Sequence, residues 1–418
     1  MANVNDRLND KCARARCRSC QRVGLLAVMD LGLMPPSDGL LSAEQLEQPE
    51  DRYPLEVAFC PECALVQILE TVPPEKLFTD RYQYYSSFSE ALLVHARGNA
   101  LNLIDRYGLS PASLVVELAS NDGYLLRNFV ARGIPVLGID PAPGQARAAE
   151  RIGVRTLCAF FGRDLAARLV DQGTRADVII ASNVLAHVAD TRGFVDGMGM
   201  LLKDEGTIVI EVPYVRDLID QCEFDTIYHE HLCYFSVTSL DCLFRRSGLF
   251  LNDLERLSIH GGSLRLYVNR HENVQEPVRR MRDEEERLSV NRHEYFRDFG
   301  VRVEGIRTAM RELLTQLKAD GRRIAAYGAA AKGTIMLNYI GVEPGMIDFV
   351  VDRNVHKHGK YMPGVRIPIC EPSRLMEAMP DYVVLLPWNF REEILAQQTP
   401  YRNQGGKFIV PIPEPTVV

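Results

Sequence analysis

The sequence lacks the features that would place the protein in a membrane, on a nucleic acid or outside the cell. No apolar run approaches the ~18 residues of a membrane-spanning helix. The 48 Lys and Arg side chains are outnumbered by 55 Asp and Glu, and this net charge of -7 argues against a chain-wide phosphate-binding surface. The polar N-terminal stretch MANVNDRLND has no apolar core of the kind a secretory signal requires. These absences predict a soluble, cytoplasmic protein with no membrane or nucleic-acid partner.

Four of the ten cysteines form two pairs, Cys17-Arg-Ser-Cys20 and Cys60-Pro-Glu-Cys63. A two-residue gap lets both thiolates of a pair face one metal ion, and two such turns complete a tetrahedral zinc site. Redox pairs are the alternative, and Cys12 is a possible substitute ligand at a poorer spacing. Four thiolates leave no open coordination position, so the sequence predicts structural rather than catalytic zinc.

From about residue 100, apolar strand patterns alternate with helical patterns. Strands are predicted at 114–119, 135–140, 176–182 and 206–212. This alternation predicts an α/β fold with a parallel, doubly wound sheet. Ligands of such sheets bind outside the carboxyl ends of the strands.

The first of these strands runs into the loop Glu117-Leu-Ala-Ser-Asn-Asp-Gly123, which has a single glycine. A dinucleotide-binding loop has G-x-G-x-x-G, so that backbone can approach a pyrophosphate. An acid at the strand end and an Asn-Asp pair instead suit S-adenosylmethionine, which has a cationic ammonium and ribose hydroxyls but no phosphate. An unliganded turn is the alternative. The predicted cofactor-binding residues are Glu117, Asn121, Asp122, Gly123, Asp140 and Asn183.

The densest cluster of functional side chains is Tyr228-His-Glu-His231. Its H-E-H spacing differs from the H-E-x-x-H pattern of helical zinc sites. A solvated turn is one alternative. We favour acid–base chemistry, because a histidine near its unperturbed pKa of ~6.5 can take a proton at neutral pH.

Two further segments have side chains suited to a polar ligand. Three tyrosines and two serines follow one another closely between Tyr82 and residue 87, either as an aromatic packing patch or as a lid over a polyhydroxylated ligand. Near the C-terminus, a predicted strand enters the turn Tyr327-Gly-Ala-Ala-Ala-Lys332, and a helix follows. Backbone N–H groups and a lysine there suit phosphate oxygens, although the segment lacks Walker A spacing. A purely structural second α/β domain is the alternative.

These motifs, in this order, resemble a family of S-adenosylmethionine-dependent C-methyltransferases that act on nucleotide-linked 4-keto-deoxysugars. The resemblance covers nearly the whole chain and includes His260-Gly-Gly. It implies a zinc-binding module at 1–75, a central Rossmann-like methyltransferase domain at 76–270, and a Rossmann-like domain at 271–418 that holds the sugar nucleotide. His229 departs from the family pattern.

The resemblance also implies a mechanism. A carbon beside a ketone can lose a proton to give an enolate, which then takes the methyl group. By resemblance His231 is the base, Glu230 and Tyr228 orient it or bind sugar hydroxyls, and Tyr82 and His187 supply donors near the sugar. The implied substrate-binding residues are Tyr84, Tyr85, Ser86, His260, Tyr327 and Lys332.

The implied reaction is methylation at C3 of a nucleotide-linked keto-deoxysugar. Alternatives are methylation at C5, methylation of an oxygen or nitrogen of a small molecule, and a non-catalytic zinc-ribbon binding protein. We expect a monomer or a weak homo-oligomer.

Overall fold

The computed structural model describes residues 4–73 and 84–418, with three sheets in this part of the chain. Tyr82 lies outside the described residues, and so does the side chain of His260. The first sheet is antiparallel, in the order β1-β2-β3-β9, and follows helix α1 (Val4–Arg14). Its strands are β1 (Leu26–Met34), β2 (Tyr53–Phe59), β3 (Val66–Ile68) and β9 (Cys233–Tyr234). Strand β9 comes from the segment that directly follows His231, so the zinc-module sheet is completed by a distant part of the chain.

The central sheet has seven strands in the order β10-β11-β8-β7-β4-β5-β6. The neighbouring strands β8, β7, β4, β5 and β6 are parallel to one another. Strand β11 lies between β8 and β10 and is antiparallel to both. The strands are β4 (Val115–Leu118), β5 (Val136–Asp140), β6 (Thr156–Cys158), β7 (Ala176–Ser182), β8 (Leu202–Pro213), β10 (Phe250–Leu257) and β11 (Ser263–Asn269). All four residues of β4 are buried, as expected of a parallel strand covered on both faces. The predicted doubly wound α/β fold is confirmed.

Helices cover this central sheet. They are α2 (Glu90–Tyr107), α3 (Arg127–Val130), α4 (Pro143–Arg151), α5 (Arg163–Asp171), α6 (Thr191–Leu201), α7 (Val215–Asp220) and α8 (Val237–Arg246). Helix α2 begins where the Ser89 side chain accepts from the N–H of Leu92 and ends at Gly108, which has a φ of 58°. Its position places His95 and Asn99 beside strand β8.

The third sheet has the order β14-β13-β12-β15-β16-β17, parallel except for β17. Its strands are β12 (Ile324–Tyr327), β13 (Val350–Val351), β14 (Ile369–Cys370), β15 (Tyr382–Leu385), β16 (Lys407–Val410) and β17 (Thr416–Val417). The helices of this part are α9 (Glu276–Leu288), α10 (Phe299–Ala319), α11 (Ala331–Ile340), α12 (Arg374–Ala378), α13 (Arg391–Gln397) and α14 (Thr399–Asn403).

Helix α9 packs against the central domain although it lies beyond residue 270. The buried carboxylate of Glu285 accepts from the N–H groups of Val237 and Thr238, at 2.7 and 2.8 Å, at the start of α8. A carboxylate in that position satisfies helix donors that have no partner within the helix. One continuous buried cluster joins all three sheets. In the described ranges, no helix is long and apolar enough to cross a bilayer.

Candidate active site

The two cysteine pairs adopt the same backbone turn. In each turn the residue after the second cysteine, Gln21 or Ala64, has a positive φ, 63° or 57°. Its N–H donates to the carbonyl of the first cysteine of the pair at 2.9 Å. The matching turns direct four sulfur atoms to one point between β1 and β2. These sulfurs belong to Cys17, Cys20, Cys60 and Cys63.

The geometry of these sulfurs fits zinc. All four lie within 4.8 Å of one another, and two pairs approach to 3.5 Å. A tetrahedral ion with Zn–S bonds of ~2.3 Å separates its sulfurs by ~3.8 Å. Cys12 is buried elsewhere in the module and does not belong to the group. The predicted ligand set thus lies together, and it leaves no coordination position for a substrate.

The predicted cofactor loop follows β4 in a conformation that few sequences adopt. Ala119 and Asn121 have positive φ values of 55° and 49°, and Gly123 has a φ of 77°. A Cβ at Gly123 would lie 3.0 Å from a methyl carbon of Val154, so a side chain there would be both strained and crowded. The loop therefore packs closely against Val154, in the connection between α4 and β6.

Carboxylates surround this loop. Glu117 is fully buried, and neither of its carboxylate oxygens has a hydrogen-bond partner within the described residues. Burial, with Asp140 and Asp122 nearby, raises the pKa of Glu117 well above its usual value. Asp140 accepts from the N–H of Asn121 and of Ala142, both at 2.8 Å, which fixes the orientation of its carboxylate at the end of β5.

These carboxylates fit S-adenosylmethionine. A buried carboxylate without a partner is costly unless a cation or a donor satisfies it. The ammonium and sulfonium of the cofactor supply positive charge, and Asp140 is placed at the strand end where ribose hydroxyls would donate. Asn183, which has a φ of 54°, follows β7 at the same edge of the sheet, and its N–H donates to the Glu211 carbonyl.

The tyrosine–serine segment is tied to the cofactor loop. The side-chain amide of Asn121 accepts from the N–H of Ser86 at 2.9 Å and donates to the carbonyl of Tyr84 at 3.1 Å. Gln145 donates to the same carbonyl at 3.1 Å. The predicted lid residues thus lie directly over the loop that is predicted to hold the cofactor.

The hydrogen bonds around His231 define the tautomer of its neutral imidazole. His231 Nδ1 lies 2.8 Å from the carbonyl oxygen of Thr226, which can only accept, so Nδ1 carries the proton. In the neutral imidazole Nε2 is then the unprotonated nitrogen, and the hydroxyl oxygen of Tyr228 lies 2.8 Å from it. The ring of His187 lies 4.8 Å from that of His231 in an edge-to-face arrangement. Burial lowers the pKa of His187 to about 4, so its imidazole is neutral.

The two residues between Tyr228 and His231 point to different surroundings. His229 is fully buried, its Nε2 contacts the carbonyl of Pro54 at 3.2 Å, and its ring packs edge-on against Tyr53. It therefore joins the catalytic segment to β2 of the zinc module. Glu230 accepts from the hydroxyl of Ser37 at 3.0 Å, and burial raises its pKa to about 8.

A cavity of about 1950 Å³ brings together residues from all three parts of the chain. Of the predicted site residues, it is lined by Tyr84, Tyr85, Ser86, Glu230 and Tyr327. Lys332 is not among the lining residues. Its Nζ is enclosed 4.6 Å from the centroid of the Trp388 ring and has no hydrogen-bond acceptor within the described part of the chain.

Several residues that the sequence analysis did not select also meet here. Asp38 lines the cavity from the zinc module, and Arg353 and Lys357 line it from the loop after β13. Lys357 Nζ donates to the carbonyl of Ala329 at 2.7 Å. In the sequence, the basic composition of residues 353–360 could have indicated Arg353 and Lys357 as candidate anion-binding residues. The turn Pro-Pro-Ser-Asp-Gly around Asp38 has no functional signature.

Comparisons with known proteins agree with this arrangement. The chain matches family models described as a putative zinc binding domain at 17–78, a methyltransferase domain at 93–252 and a C-methyltransferase C-terminal domain at 258–413. It is 36% identical over 406 residues to C-methyltransferase NovU of Streptomyces niveus, and the match covers 96% of each chain.

Two other similarities are partial. A ubiquinone biosynthesis O-methyltransferase of Azorhizobium caulinodans is 29% identical over 100 residues, which is 23% of this chain and 38% of that protein. The structure of magnesium protoporphyrin IX methyltransferase from Synechocystis PCC 6803 with bound S-adenosylmethionine has 14% identity and a TM-score of 0.34. That match covers 43% of this chain and 79% of the other, and it supports no conclusion about function.

The match to NovU covers 96% of this chain and so extends over all three of its parts. The prediction of S-adenosylmethionine and structural zinc as cofactors is confirmed, as is the prediction of an enzyme. The chain belongs to the family of S-adenosylmethionine-dependent C-methyltransferases that have an N-terminal zinc-binding domain.

Proposed function

We propose that this enzyme methylates a nucleotide-linked 4-keto-deoxysugar at C3, the carbon beside the ketone, with His231 as the base. When bound, S-adenosylmethionine supplies an electrophilic methyl group. The acceptor carbon must become nucleophilic, and removal of its proton to form an enolate achieves this. The protein must therefore place a base at the carbon and exclude water from it.

The observation that carries the proposal is the fixed tautomer of His231. Because the Thr226 carbonyl accepts from Nδ1–H at 2.8 Å, Nε2 is the basic nitrogen of the neutral imidazole. The Tyr228 hydroxyl lies 2.8 Å from Nε2. It would orient the imidazole of His231 or donate a hydrogen bond to the ketone oxygen of the sugar. Such a base contributes typically ~10²–10⁴-fold to the rate.

The side chains around the cavity support a sugar nucleotide as substrate. Tyr84, Tyr85, Ser86 and Glu230 line it, and hydroxyl and carboxyl groups are of the kind that exchange hydrogen bonds with sugar hydroxyls. Arg353 and Lys357 line the same cavity, and their charge suits a diphosphate. A cavity of about 1950 Å³ has room for a nucleotide and a sugar.

The test is methyl transfer and hydrogen exchange with the wild type and with His231→Asn. The wild type is expected to add one methylene to the sugar of a freshly made nucleotide-linked 4-keto-deoxysugar, as measured by mass spectrometry. In deuterium oxide the wild type should also exchange the hydrogen on C3 of the sugar for deuterium. Exchange at C5 instead would indicate that C5 is the carbon that is deprotonated and methylated. A gain on an oxygen or nitrogen would refute a carbon acceptor.

His231→Asn should lose both transfer and exchange while it still binds the cofactor and the sugar nucleotide. His271→Asn is the control, because the His271 side chain is 64% exposed on the loop after β11. Full activity of His231→Asn would remove His231 from the role of base.

A further inference from the structure

Asp225 is a buried carboxylate in the catalytic segment that the proposed chemistry does not use. It lies in a short 3-10 turn, Phe224–Thr226, and is completely buried. Its Oδ2 accepts from the indole N–H of Trp388 at 2.8 Å. Trp388 follows β15, so this hydrogen bond links the C-terminal domain to the turn just before His231.

A lysine from the same domain adds charge to this contact. Lys332 Nζ lies 4.6 Å from the centroid of the Trp388 ring, a distance typical of a cation–π contact. Burial raises the pKa of Asp225 to about 6, and the positive charge of Lys332 opposes that rise. Lys332 thus lies against the ring that donates to Asp225, while its Nζ and the second carboxylate oxygen, Oδ1, have no hydrogen-bond partner within the described residues.

The turn that Asp225 anchors is the one that orients the base. Thr226 follows Asp225 directly, and its carbonyl accepts from His231 Nδ1. On the other side of Asp225, the ring of Phe224 packs 5.2 Å from the ring of Tyr339 of helix α11. The C-terminal domain therefore holds the turn through a polar contact at Asp225 and an apolar contact at Phe224.

We propose that Asp225 is a positioning residue for His231, held in place by the indole N–H of Trp388 of the C-terminal domain. The inference rests on the proposed role of His231 as the base. It gives the C-terminal domain a part in the proton-transfer step, in addition to any contact with the sugar nucleotide. Because Asp225 is buried, it acts through the Thr226 carbonyl and not on the substrate.

Kinetics of matched variants test this role. Asp225→Ala and Trp388→Phe are each expected to lower kcat and the rate of C3 hydrogen exchange by the same factor, up to ~10²-fold, because a displacement of ~1 Å at a reacting group can have that effect. The KM for S-adenosylmethionine should stay unchanged, since the hydrogen bond lost in either variant joins Asp225 to Trp388 and does not involve the cofactor loop. The double variant should lose no more than Asp225→Ala alone, because both changes break one hydrogen bond.

Two further variants separate positioning from general damage to the interface. Asp225→Asn keeps an oxygen that can accept from the indole, so it should recover most of the rate lost in Asp225→Ala. Tyr339→Phe is the matched control, because it keeps the ring against Phe224 and loses only a hydroxyl that donates to Glu304 at 3.1 Å. Equal losses in Tyr339→Phe and Asp225→Ala, or a loss that follows the melting temperature alone, would overturn the inference.

Fluorescence provides a readout that does not depend on activity. Trp388 is the only tryptophan of the chain, so the emission of the folded protein reports its surroundings directly. Asp225→Ala should change the emission maximum, whereas Tyr339→Phe should not. If His231→Asn remains fully active, the proposed function fails. If His231→Asn is inactive while Asp225→Ala changes the emission and keeps full activity, only the positioning role fails.

Discussion

Replacing Glu230 by glutamine is expected to stabilise the protein at alkaline pH, by an amount that decreases in acid. The Glu230 carboxyl is 6% exposed, and its pKa is raised from 4.5 to about 8, first by burial and then by the charge of Asp38. Between these two values the folded state binds more protons at this position than the unfolded state does. The free energy of unfolding therefore falls as the pH rises through this range.

The size of the effect follows from the same values. A difference of about 3.5 pH units corresponds to ~5 kcal/mol once the pH exceeds both pKa values. Glutamine has no charge to bury and keeps an oxygen to accept from Ser37. Between pH 6 and pH 9 the advantage of Glu230→Gln over the wild type should therefore grow by ~2–3 kcal/mol.

The assay is urea unfolding of both proteins at pH 6 and pH 9 with saturating zinc. Glu47→Gln, an exposed position in the same module, is the control and should show no pH-dependent difference. An advantage of Glu230→Gln that is the same at both pH values would refute the reasoning, because the carboxyl would then ionise equally in the folded and unfolded states.

Two other perturbations separate the roles of the zinc and the cofactor loop. Removal of zinc by a chelator, or Cys63→Ser, should abolish methyl transfer but preserve cofactor binding. Structural zinc contributes ~10–16 kcal/mol in small modules, and β9, just after His231, pairs with the module sheet. Zinc content, transfer and binding are measured on one sample, and an unchanged kcat in metal-free protein would contradict this. Glu117→Gln should weaken S-adenosylmethionine binding ~10–150-fold in calorimetry, the equivalent of one charge-assisted hydrogen bond of ~1.5–3 kcal/mol. Wild-type affinity in that variant would be inconsistent with a carboxylate–ammonium contact, and exposed Glu205→Gln is the control.

Local patterns were sufficient to predict most of the central fold. Strand β7 forms over Ala176–Ser182 as predicted, because a continuous apolar run bounded by turn residues has few other solutions in an α/β domain. The apolar pattern that starts at Tyr124 predicts a helix directly after the cofactor loop, but helix α3 begins only at Arg127. Residues 124–126 instead form a turn after Gly123, which has a positive φ. The position of this turn depends on how Gly123 packs against Val154, a contact that the local sequence does not reveal.

The sequence could indicate a candidate site where the residues concerned are consecutive. The acid and the Asn-Asp pair of the cofactor loop, and the Tyr228–His231 cluster, are each visible in one segment. The contact between Asp225 and Trp388 joins residues 163 positions apart, and neither residue has a local signature of it. Likewise, the sequence showed two histidines at 229 and 231, but only tertiary packing assigns His229 to the zinc-module interface.

The completion of the zinc-module sheet by β9 has a consequence for how the chain is synthesised and divided. Strands β4 to β8 of the central sheet lie between β3 and β9 in the sequence. The N-terminal module therefore leaves the ribosome with an open sheet edge at β3, and the edge closes only after most of the central domain has been made. An isolated N-terminal fragment would keep that edge exposed and prone to self-association. Any cut between β3 and β9 would therefore divide one sheet between two fragments, and the piece with the four cysteines would lose the strand next to the Tyr228–His231 segment.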